Sequence, residues 1–466
     1  MRYISVKCIK GYCFGFILIS TLGCKKGEWY DVKTDKSLAV PSTLKDMQAL
    51  LDNVGVLNGS TIALGEIGSD GHSIKDADAQ RLGDTEYNAY TWSYGKPYIT
   101  VADWASNNDI GAYPRIYYCN TILDGVKKLT PANNEEQLLW NSIKGQALFH
   151  RAKNFFDLAQ VFAPPYNVTT ANTDLSIPLR LESDINIPSK RSSVKETYEQ
   201  IINDLLTAET LLPATPLFKT RASRPAVFAL LARTYLCMQD YVNAKKFADS
   251  CLKNFNTLLD YNILSTTDAQ PFTIFNPEVI FHSRMLSYRS IRAAMIIDPE
   301  LYDLYDSNDL RKEIFFTKNL TTGEVKSKGT YTGTVLLFTG LASDEVYLIR
   351  AESNARSGNS KAAMEDLNNL LRKRWKAETF KEFTAIDAED ALRQVLNERK
   401  KELLLRGLRW SDLRRLNQDE RFKITINRII SGTTYTLEPE SFKYTLPIPD
   451  DIIQITGMTQ NLGWGK

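Results

Sequence analysis

The sequence has little of the chemistry that most enzymes use in their active sites. Its 466 residues include three histidines, His72, His150 and His282, which lie far apart and form no H-E-x-x-H or H-x-H arrangement. It contains no glycine-rich phosphate loop, no dinucleotide-binding fingerprint and no G-x-S-x-G turn. The common signatures of zinc proteases, nucleotide-binding enzymes and serine hydrolases are therefore excluded.

Cysteine is also scarce, with six residues in the whole chain. Three of these lie in the N-terminal leader or directly after it. The other three, Cys119, Cys237 and Cys251, are an odd number without C-x-x-C spacing. The sequence therefore indicates neither a disulfide framework nor a zinc site.

The chain has no excess of charge of either sign. It carries 57 basic and 55 acidic residues. Removal of a leader containing Arg2, Lys7 and Lys10 leaves 54 basic residues, for a net charge of −1. Nucleic-acid-binding proteins concentrate positive charge on one face, so this balance argues against a nucleic-acid partner.

The only markedly apolar run lies near the N-terminus and is too short to span a bilayer. Basic residues precede this run at residues 11–22, which end at Gly23 and Cys24. A small residue before cysteine at the end of such a run is typical of a bacterial lipoprotein signal peptide. We predict a signal peptide over residues 1–23 and lipidation of Cys24; plain secretion and a retained anchor are the alternatives.

Small residues recur at helical spacing in two parts of the chain. Ala232 and Ala244 lie twelve residues apart within residues 224–252, and Ala351 and Ala363 repeat that spacing. Alanine lets two helices cross closely, so each part is predicted to form a helical hairpin of the tetratricopeptide type. The alternative is an ordinary helical protein with two similar hairpins.

Apolar periodicity predicts further helices, and the charged residues near the last of them predict an ion-pair network. A long helix is expected over residues 135–162, ending before Pro164, and another helical region over 388–415. The tail from Tyr444, Y-T-L-P-I-P-D-D-I-I, is predicted to be extended. A partly buried ion-pair network is expected among these residues: Glu398, Arg399, Glu402, Arg406, Arg409, Asp412 and Arg414.

Aromatic residues are concentrated in one stretch, residues 87–104. It contains six rings, interleaved with short polar side chains at no helical period: Tyr87, Tyr90, Trp92, Tyr94, Tyr98 and Trp104. This pattern predicts an irregular surface segment. Sugars need such a mixture, because a sugar ring places its C–H face on an aromatic plane and its hydroxyls on amides and carboxylates.

We therefore predict that this segment binds a carbohydrate. The candidate ligand-binding residues are Trp92, Tyr94, Tyr98, Trp104, Asn107, Asn108 and Asp109. The alternative is that the rings pin loops onto the helices beneath them.

Carboxylates could in principle support a glycosidase or a calcium site. Near the aromatic segment the acidic residues are Asp70, Asp103 and Asp109, and we predict no catalytic residue among them. Two short acidic runs, at residues 76–78 and 307–309, offer oxygen ligands but do not match a calcium-binding loop. We expect no cofactor, with a structural calcium ion left open.

Five segments in a fixed order resemble the SusD/RagB family of outer-membrane lipoproteins of the Bacteroidetes type. They are K-G-Q-A-L-F-H-R-A-K-N-F-F-D-L-A from Lys144, R-S-S-V-K-E-T-Y-E-Q-I-I-N-D-L from Arg191, R-P-A-V-F-A-L-L-A-R-T-Y-L from Arg224, N-E-R-K-K-E-L-L-L-R-G-L-R-W-S-D-L-R-R from Asn397, and P-I-P followed by Q-N-L-G-W at the C-terminus. With the lipoprotein cysteine, they cover the chain as far as Trp464. Arg406 departs from the family, which commonly has an acidic residue before the glycine.

The resemblance implies a fold and a domain organisation. The fold is mostly α-helical, with tetratricopeptide-like hairpins supporting an irregular, loop-rich half that has a few short strands and carries the ligand. The expected organisation is a signal peptide at 1–23, a lipidated tether at 24–42 and one SusD-like domain at 43–466. The irregular ligand-binding segments are expected chiefly at 53–110 and 271–340.

The resemblance also implies a function without catalysis. The protein would be anchored in the outer membrane through Cys24 and face the cell exterior. There it would bind a nutrient, most often a glycan, and deliver it to a SusC-like TonB-dependent transporter. Two other hypotheses stay open from the residues alone: a peptide- or protein-binding helical-repeat module, and a glycosidase.

Overall fold

Helices form most of the protein in the computed structural model, which describes residues 41–106 and 110–465. These residues belong to one unit, Pro41–Lys466. Its α-helices, α1 to α17 in chain order, are Leu44–Leu51, Val54–Leu57, Leu64–Gly68, Asp76–Ala79, Asp84–Thr91, Ala112–Val126, Asn134–Phe162, Val194–Leu211, Arg224–Cys237, Tyr241–Asn254, Pro299–Asp303, Arg311–Ile314, Ser343–Arg356, Ser360–Leu371, Ala388–Glu402, Arg409–Leu416 and Asp450–Thr456. Three short 3₁₀ helices are Tyr261–Ile263, Glu420–Phe422 and Phe442–Tyr444.

The strands are short and pair only in twos. In chain order, β1 to β10 are His72–Ser73, Leu175–Pro178, Arg191–Ser193, Val279–Phe281, Ile296–Ile297, Phe316–Lys318, Val325–Ser327, Leu341–Ala342, Ile426–Ile430 and Thr433–Leu437. They form five two-stranded antiparallel sheets: β1 with β5, β2 with β3, β4 with β8, β6 with β7 and β9 with β10. This confirms the predicted fold class.

The longer helices pack on one another in chain order. Helix α6 packs on α7, α7 on α8, α8 on α9 and α9 on α10. Helix α10 then packs on α13, which contacts α14 and α15. The series therefore continues across residues 255–342, an insertion that carries only short helices and strands.

Both predicted helical hairpins are present. The first consists of α9 and α10 and the second of α13 and α14, and all four alanines that marked them are fully buried. Gln239 turns the first hairpin with φ 60°, and Gly358 turns the second with φ 84°. Left-handed backbone of this kind ends a helix abruptly, which lets the next helix fold back against it.

The predicted helical region 388–415 is interrupted in the structure. Helix α15 ends at Glu402 and α16 begins at Arg409, with Leu405 at φ 59° and Gly407 at φ 74° between them. The backbone N–H of Gly407 donates to the buried Glu66 carboxylate at 2.9 Å. This tertiary hydrogen bond takes the place of an intrahelical one, which accounts for the break that periodicity did not predict.

The extended tail was also predicted incorrectly in part. Residues Asp450–Thr456 form α17, with Asp450 and Asp451 in its first turn and Gly457 at φ 68° after its last. Carboxylates at a helix N-terminus and glycine after its C-terminus both stabilise a helix.

The ion-pair network is confirmed in part: Arg399 pairs with Asp412, Glu398, Glu402, Arg406 and Arg409 pair with residues outside the predicted set, and Arg414 donates to backbone carbonyls instead. Glu402 accepts from Arg311 at 2.9 Å and from Arg374 at 2.8 Å, and Arg374 also contacts Glu278 at 2.8 Å. All four side chains are fully buried. These ion pairs join α15 to the insertion at residues 255–342. Electrostatic as well as apolar contacts therefore hold the insertion against the packed helices.

Arg406, the departure from the family pattern, is also buried in this region. Its guanidinium lies 4.7 Å from the ring centroids of both Tyr331 and Phe338 and contacts Asp344 at 3.0 Å. Through these contacts it joins the loop before α16 to the insertion and to α13. Among the described residues, none of the helices combines the length and the apolar character needed to cross a membrane.

Candidate functional site

Most of the predicted aromatic segment lies inside the protein. The side chains of Trp92 and Tyr98 are 1% exposed and that of Trp104 is 4% exposed. The indole N–H of Trp92 donates to the carbonyl of Gly68 at 2.9 Å. In this structure these three rings offer no face to a ligand, so the prediction that they contact one is corrected.

Each of these rings is buried because the segment wraps around the core. Trp104 meets Phe162 edge-on at 5.1 Å and Tyr113 at 4.7 Å, while Trp92 shares a hydrophobic cluster with Trp410 and Tyr444. A chain that passes over several neighbours buries rings at irregular intervals. The lack of a helical period was therefore a sign of this path and not of exposure. The segment's first two rings, Tyr87 and Tyr90, in fact lie on α5.

Tyr94, the fourth predicted ring, is half-buried. The Tyr94 hydroxyl donates to Asp450, and its ring lies 5.8 Å from that of Trp464. Burial and the nearby carboxylate raise the pKa of Tyr94. The predicted ligand-binding residues Asn107, Asn108 and Asp109, and the predicted lipidation site Cys24, lie outside the described residues.

The carboxylates near this segment already have structural partners. Asp103 is fully buried and accepts from the backbone N–H of Leu64 at 3.0 Å and from the hydroxyl of Tyr288 at 2.7 Å. Asp70 accepts two hydrogen bonds from Arg409, at 2.6 and 2.8 Å, and the Arg409 guanidinium contributes to the strongly lowered pKa of Asp70. Neither is placed as an acid or base on an open surface. Among the described residues, no group of acidic, histidine or cysteine side chains could hold a metal ion.

A row of rings leads from Tyr94 to an open groove. Trp464 contacts Tyr94 on one side and Phe442 on the other, at a centroid distance of 5.1 Å. Phe442 is 42% exposed and lines a groove of about 470 Å³. This volume lies in the range of about 300–1,000 Å³ that is typical of small-molecule sites.

Three parts of the chain form the groove. They are residues 164–174, which follow α7; residues 414–418, at the end of α16; and residues 440–445 with 461–462 in the C-terminal tail. The proline pair after α7 ends that helix, because proline lacks the N–H that a further turn would need. The remaining lining residues of these parts include Asn167, Thr170, Asp174, Asn417, Gln418, Ser441, Tyr444, Thr445 and Asn461.

The groove combines one exposed ring with uncharged hydrogen-bonding groups. Asn167 accepts at its side-chain oxygen from the N–H of Thr169 at 3.0 Å, and within the described chain its amide NH₂ has no protein acceptor. The Ser441 hydroxyl oxygen accepts from the backbone N–H of Lys443 at 3.4 Å. Within the described residues, the hydroxyl proton of Ser441 has no acceptor and is therefore also available to a ligand. Amides and hydroxyls around an aromatic face are the groups that hold a sugar ring.

The floor of the groove is rigid. Asn417 donates to the Tyr444 hydroxyl at 2.9 Å, and the Tyr444 ring lies 4.9 Å from that of Trp410. Burial raises the pKa of Tyr444 to about 12, so its hydroxyl stays protonated and able to donate. Because Trp92 packs in this same cluster, the predicted segment supports the groove from behind.

The sequence offered only indirect signals for the groove. Asn167 lies in a loop and Phe442 begins a short 3₁₀ helix, and prolines and polar residues are frequent around both of them in the sequence. The proline pair after a long helix and the P-I-P tail both indicated irregular backbone. No pattern in the neighbouring sequence indicated that these parts of the chain lie side by side in the folded protein.

Family models match both ends of the chain. Residues 28–236 match a family described as "Starch-binding associating with outer membrane", and residues 341–464 match the SusD family. The SusD-like protein P2 of Formosa agariphila is 25% identical over 347 residues, which are 61% of this chain. The match spans 66% of that relative's own length, slightly under two thirds.

Solved structures share the fold over nearly the whole chain. A Bacteroides vulgatus protein is 24% identical with a TM-score of 0.74, covering 91% of this chain and all of its own. A SusD superfamily protein of Bacteroides thetaiotaomicron is 22% identical with a TM-score of 0.71, covering 90% of this chain and 99% of its own. A SusD-like carbohydrate-binding protein of B. vulgatus is 20% identical with a TM-score of 0.63, covering 90% and 97%.

Proposed function

The chain belongs to the SusD/RagB family, and from that premise we propose that it binds an oligosaccharide at the cell surface without cleaving it. The groove beside Phe442 is the observation that carries this proposal. It is open, it is large enough for sugar units, and it pairs an exposed aromatic face with amides and hydroxyls. The family's association with the outer membrane and with carbohydrate supports the ligand class.

The rest of the proposal concerns anchoring and transport. Lipidation at Cys24 would hold the protein in the outer membrane, facing outward, and a SusC-like TonB-dependent transporter would receive the bound glycan. Several acyl chains on one cysteine give durable attachment, since each buried CH₂ contributes about 0.8 kcal/mol. The family's general association with an outer-membrane transporter supports this partner.

Binding should depend on Phe442. We expect the mature chain to be retained on at least one neutral polysaccharide in a panel that includes starch. Phe442→Ala should weaken binding of the matching oligosaccharide about 10- to 100-fold, because the apolar sugar face loses its platform. Isothermal titration calorimetry measures this loss.

Phe218 provides a matched control. It is another exposed phenylalanine, at 57%, and it does not line the groove. Phe218→Ala should leave the affinity unchanged. Failure of the protein to bind any polysaccharide, together with tight binding of an extended peptide, would instead favour the peptide-binding hypothesis.

A further inference from the structure

The lining of the groove includes the carboxylate of Asp174, which has no basic partner among the described residues. The Thr170 hydroxyl donates to Asp174 at 2.6 Å. Within residues 41–106 and 110–465, no lysine, arginine or histidine nitrogen lies within 4.0 Å of that carboxylate. Its negative charge is therefore not neutralised by a neighbouring side chain.

A second carboxylate in the lining shares its basic partner with another acidic residue. Glu440, which lines the groove, contacts the ammonium of Lys423 at 2.5 Å. The same ammonium contacts Glu420 at 2.6 Å. Two carboxylates thus share one lysine, so this group of three side chains carries a net negative charge.

Of the described residues that line the groove, Arg414 is the one arginine, and the protein already engages it. Arg414 is 3% exposed, and its guanidinium donates to the carbonyl of Ala159 at 3.2 Å and to those of Gln160 and Ala163. The carbonyls of Gln160 and Ala163 lie at the C-terminal end of α7, where carbonyls lack an N–H partner, whereas the Ala159 carbonyl also accepts from the N–H of Ala163 at 3.3 Å. A helix C-terminus also carries partial negative charge, so the positive charge of Arg414 is offset locally.

From this balance we infer that the groove selects neutral oligosaccharides over acidic ones. This inference rests on the proposed function, since it names the class of glycan that the same groove binds. Uronic acids and sulfated sugars would bring a second negative charge close to Asp174 and Glu440. Among the described residues of the lining, no free guanidinium or ammonium could pair with that charge. The hydroxyls of a neutral sugar find donors and acceptors instead, at side chains such as Asn167 and Ser441.

Matched oligosaccharides test the selectivity. The probes are maltohexaose, cellohexaose and mannohexaose, each compared with the form in which the primary alcohol of every sugar is oxidised to a carboxylate. The neutral member of a pair that binds should do so about 5- to 30-fold more tightly at low ionic strength. Added salt should reduce this difference, because it screens charges near the surface.

A substitution at Asp174 tests whether its charge causes the difference in affinity between neutral and acidic oligosaccharides. Asp174→Asn should narrow the difference in affinity between the neutral and acidic members at least about threefold. Asp268→Asn removes the same charge at an exposed position that does not line the groove, and should leave the difference intact.

The outcomes separate the two proposals. Tighter binding of the acidic member, or an Asp174→Asn variant that keeps the full difference, would overturn the selectivity while leaving glycan binding in place. If neither member of any pair bound, and the polysaccharide panel also failed, the proposed function itself would be overturned.

Discussion

The aromatic segment at residues 87–104 and the groove beside Phe442 differ in how their rings and polar groups are used. In the segment, Trp92 is buried and its N–H is satisfied by Gly68. In the groove, Phe442 is half-exposed and Asn167 keeps an amide NH₂ without a protein acceptor within the described chain. Most buried polar atoms find protein partners, as the Trp92 N–H does, although the Tyr98 hydroxyl has none among the described residues. A binding surface leaves polar atoms for the ligand.

This difference teaches that the density of rings in a sequence does not locate a binding surface. The segment's rings stabilise the core behind the groove, through the cluster that Trp92 shares with Trp410 and Tyr444. One exposed ring surrounded by available amides and hydroxyls is the more specific sign. The two regions should therefore respond to substitution in opposite ways.

The largest loss of stability is expected from a substitution in the aromatic segment. Trp92→Ala should reduce the free energy of unfolding by about 3–5 kcal/mol, because it leaves a cavity in a fully buried cluster. Urea denaturation followed by circular dichroism measures this change. Phe442→Ala, at a half-exposed position, should cost less than about 1 kcal/mol in the same assay. Equal losses for both variants would remove the distinction between the regions.

A smaller, pH-dependent effect is expected at Glu66, which lies beneath the segment and accepts from Gly407. Burial raises the pKa of this carboxyl from 4.5 to about 7. Because the folded-state pKa is raised, its contribution to stability is fully present below pH 4.5 and is lost as the pH rises through about 7. This loss amounts to about 3 kcal/mol.

Glu66→Gln removes the titrating group and keeps an oxygen for the Gly407 N–H. The difference in unfolding free energy between wild type and variant should therefore change between pH 4.5 and 7, in favour of the variant at the higher pH. Comparing two proteins cancels the opposite effect of His72, whose buried imidazole has a pKa lowered to about 3. A difference that stays constant over this range would contradict the shifted pKa.

Much of the fold was predictable from sequence, because its signals are local. The alanine spacing at Ala232 and Ala244 gave the first hairpin, and the proline pair gave the end of α7. The break between α15 and α16 was not predictable, since it depends on the contact of Gly407 with Glu66, a residue far away in the chain.

The groove was unpredictable for the same physical reason. Its walls come from residues near 167, 417 and 442, and their proximity depends on how α7, α16 and the tail pack together. The burial of Trp92 and Trp104 was likewise decided by neighbours such as Trp410 and Phe162, and not by the residues beside them in sequence. The composition of the segment is unusual, as the sequence indicated. Its interpretation as a ligand surface required the rings to be exposed, and Trp92, Tyr98 and Trp104 are buried.

Hydrogen–deuterium exchange with and without a saturating neutral oligosaccharide tests the location of the ligand most directly. We expect the ligand to slow exchange in peptides that cover residues 164–174 and 440–462, the walls of the groove. Peptides that cover residues 87–106 should exchange at the same rate in both states. Protection confined to residues 87–110, with the groove unchanged, would contradict the central claim and return the site to the aromatic segment.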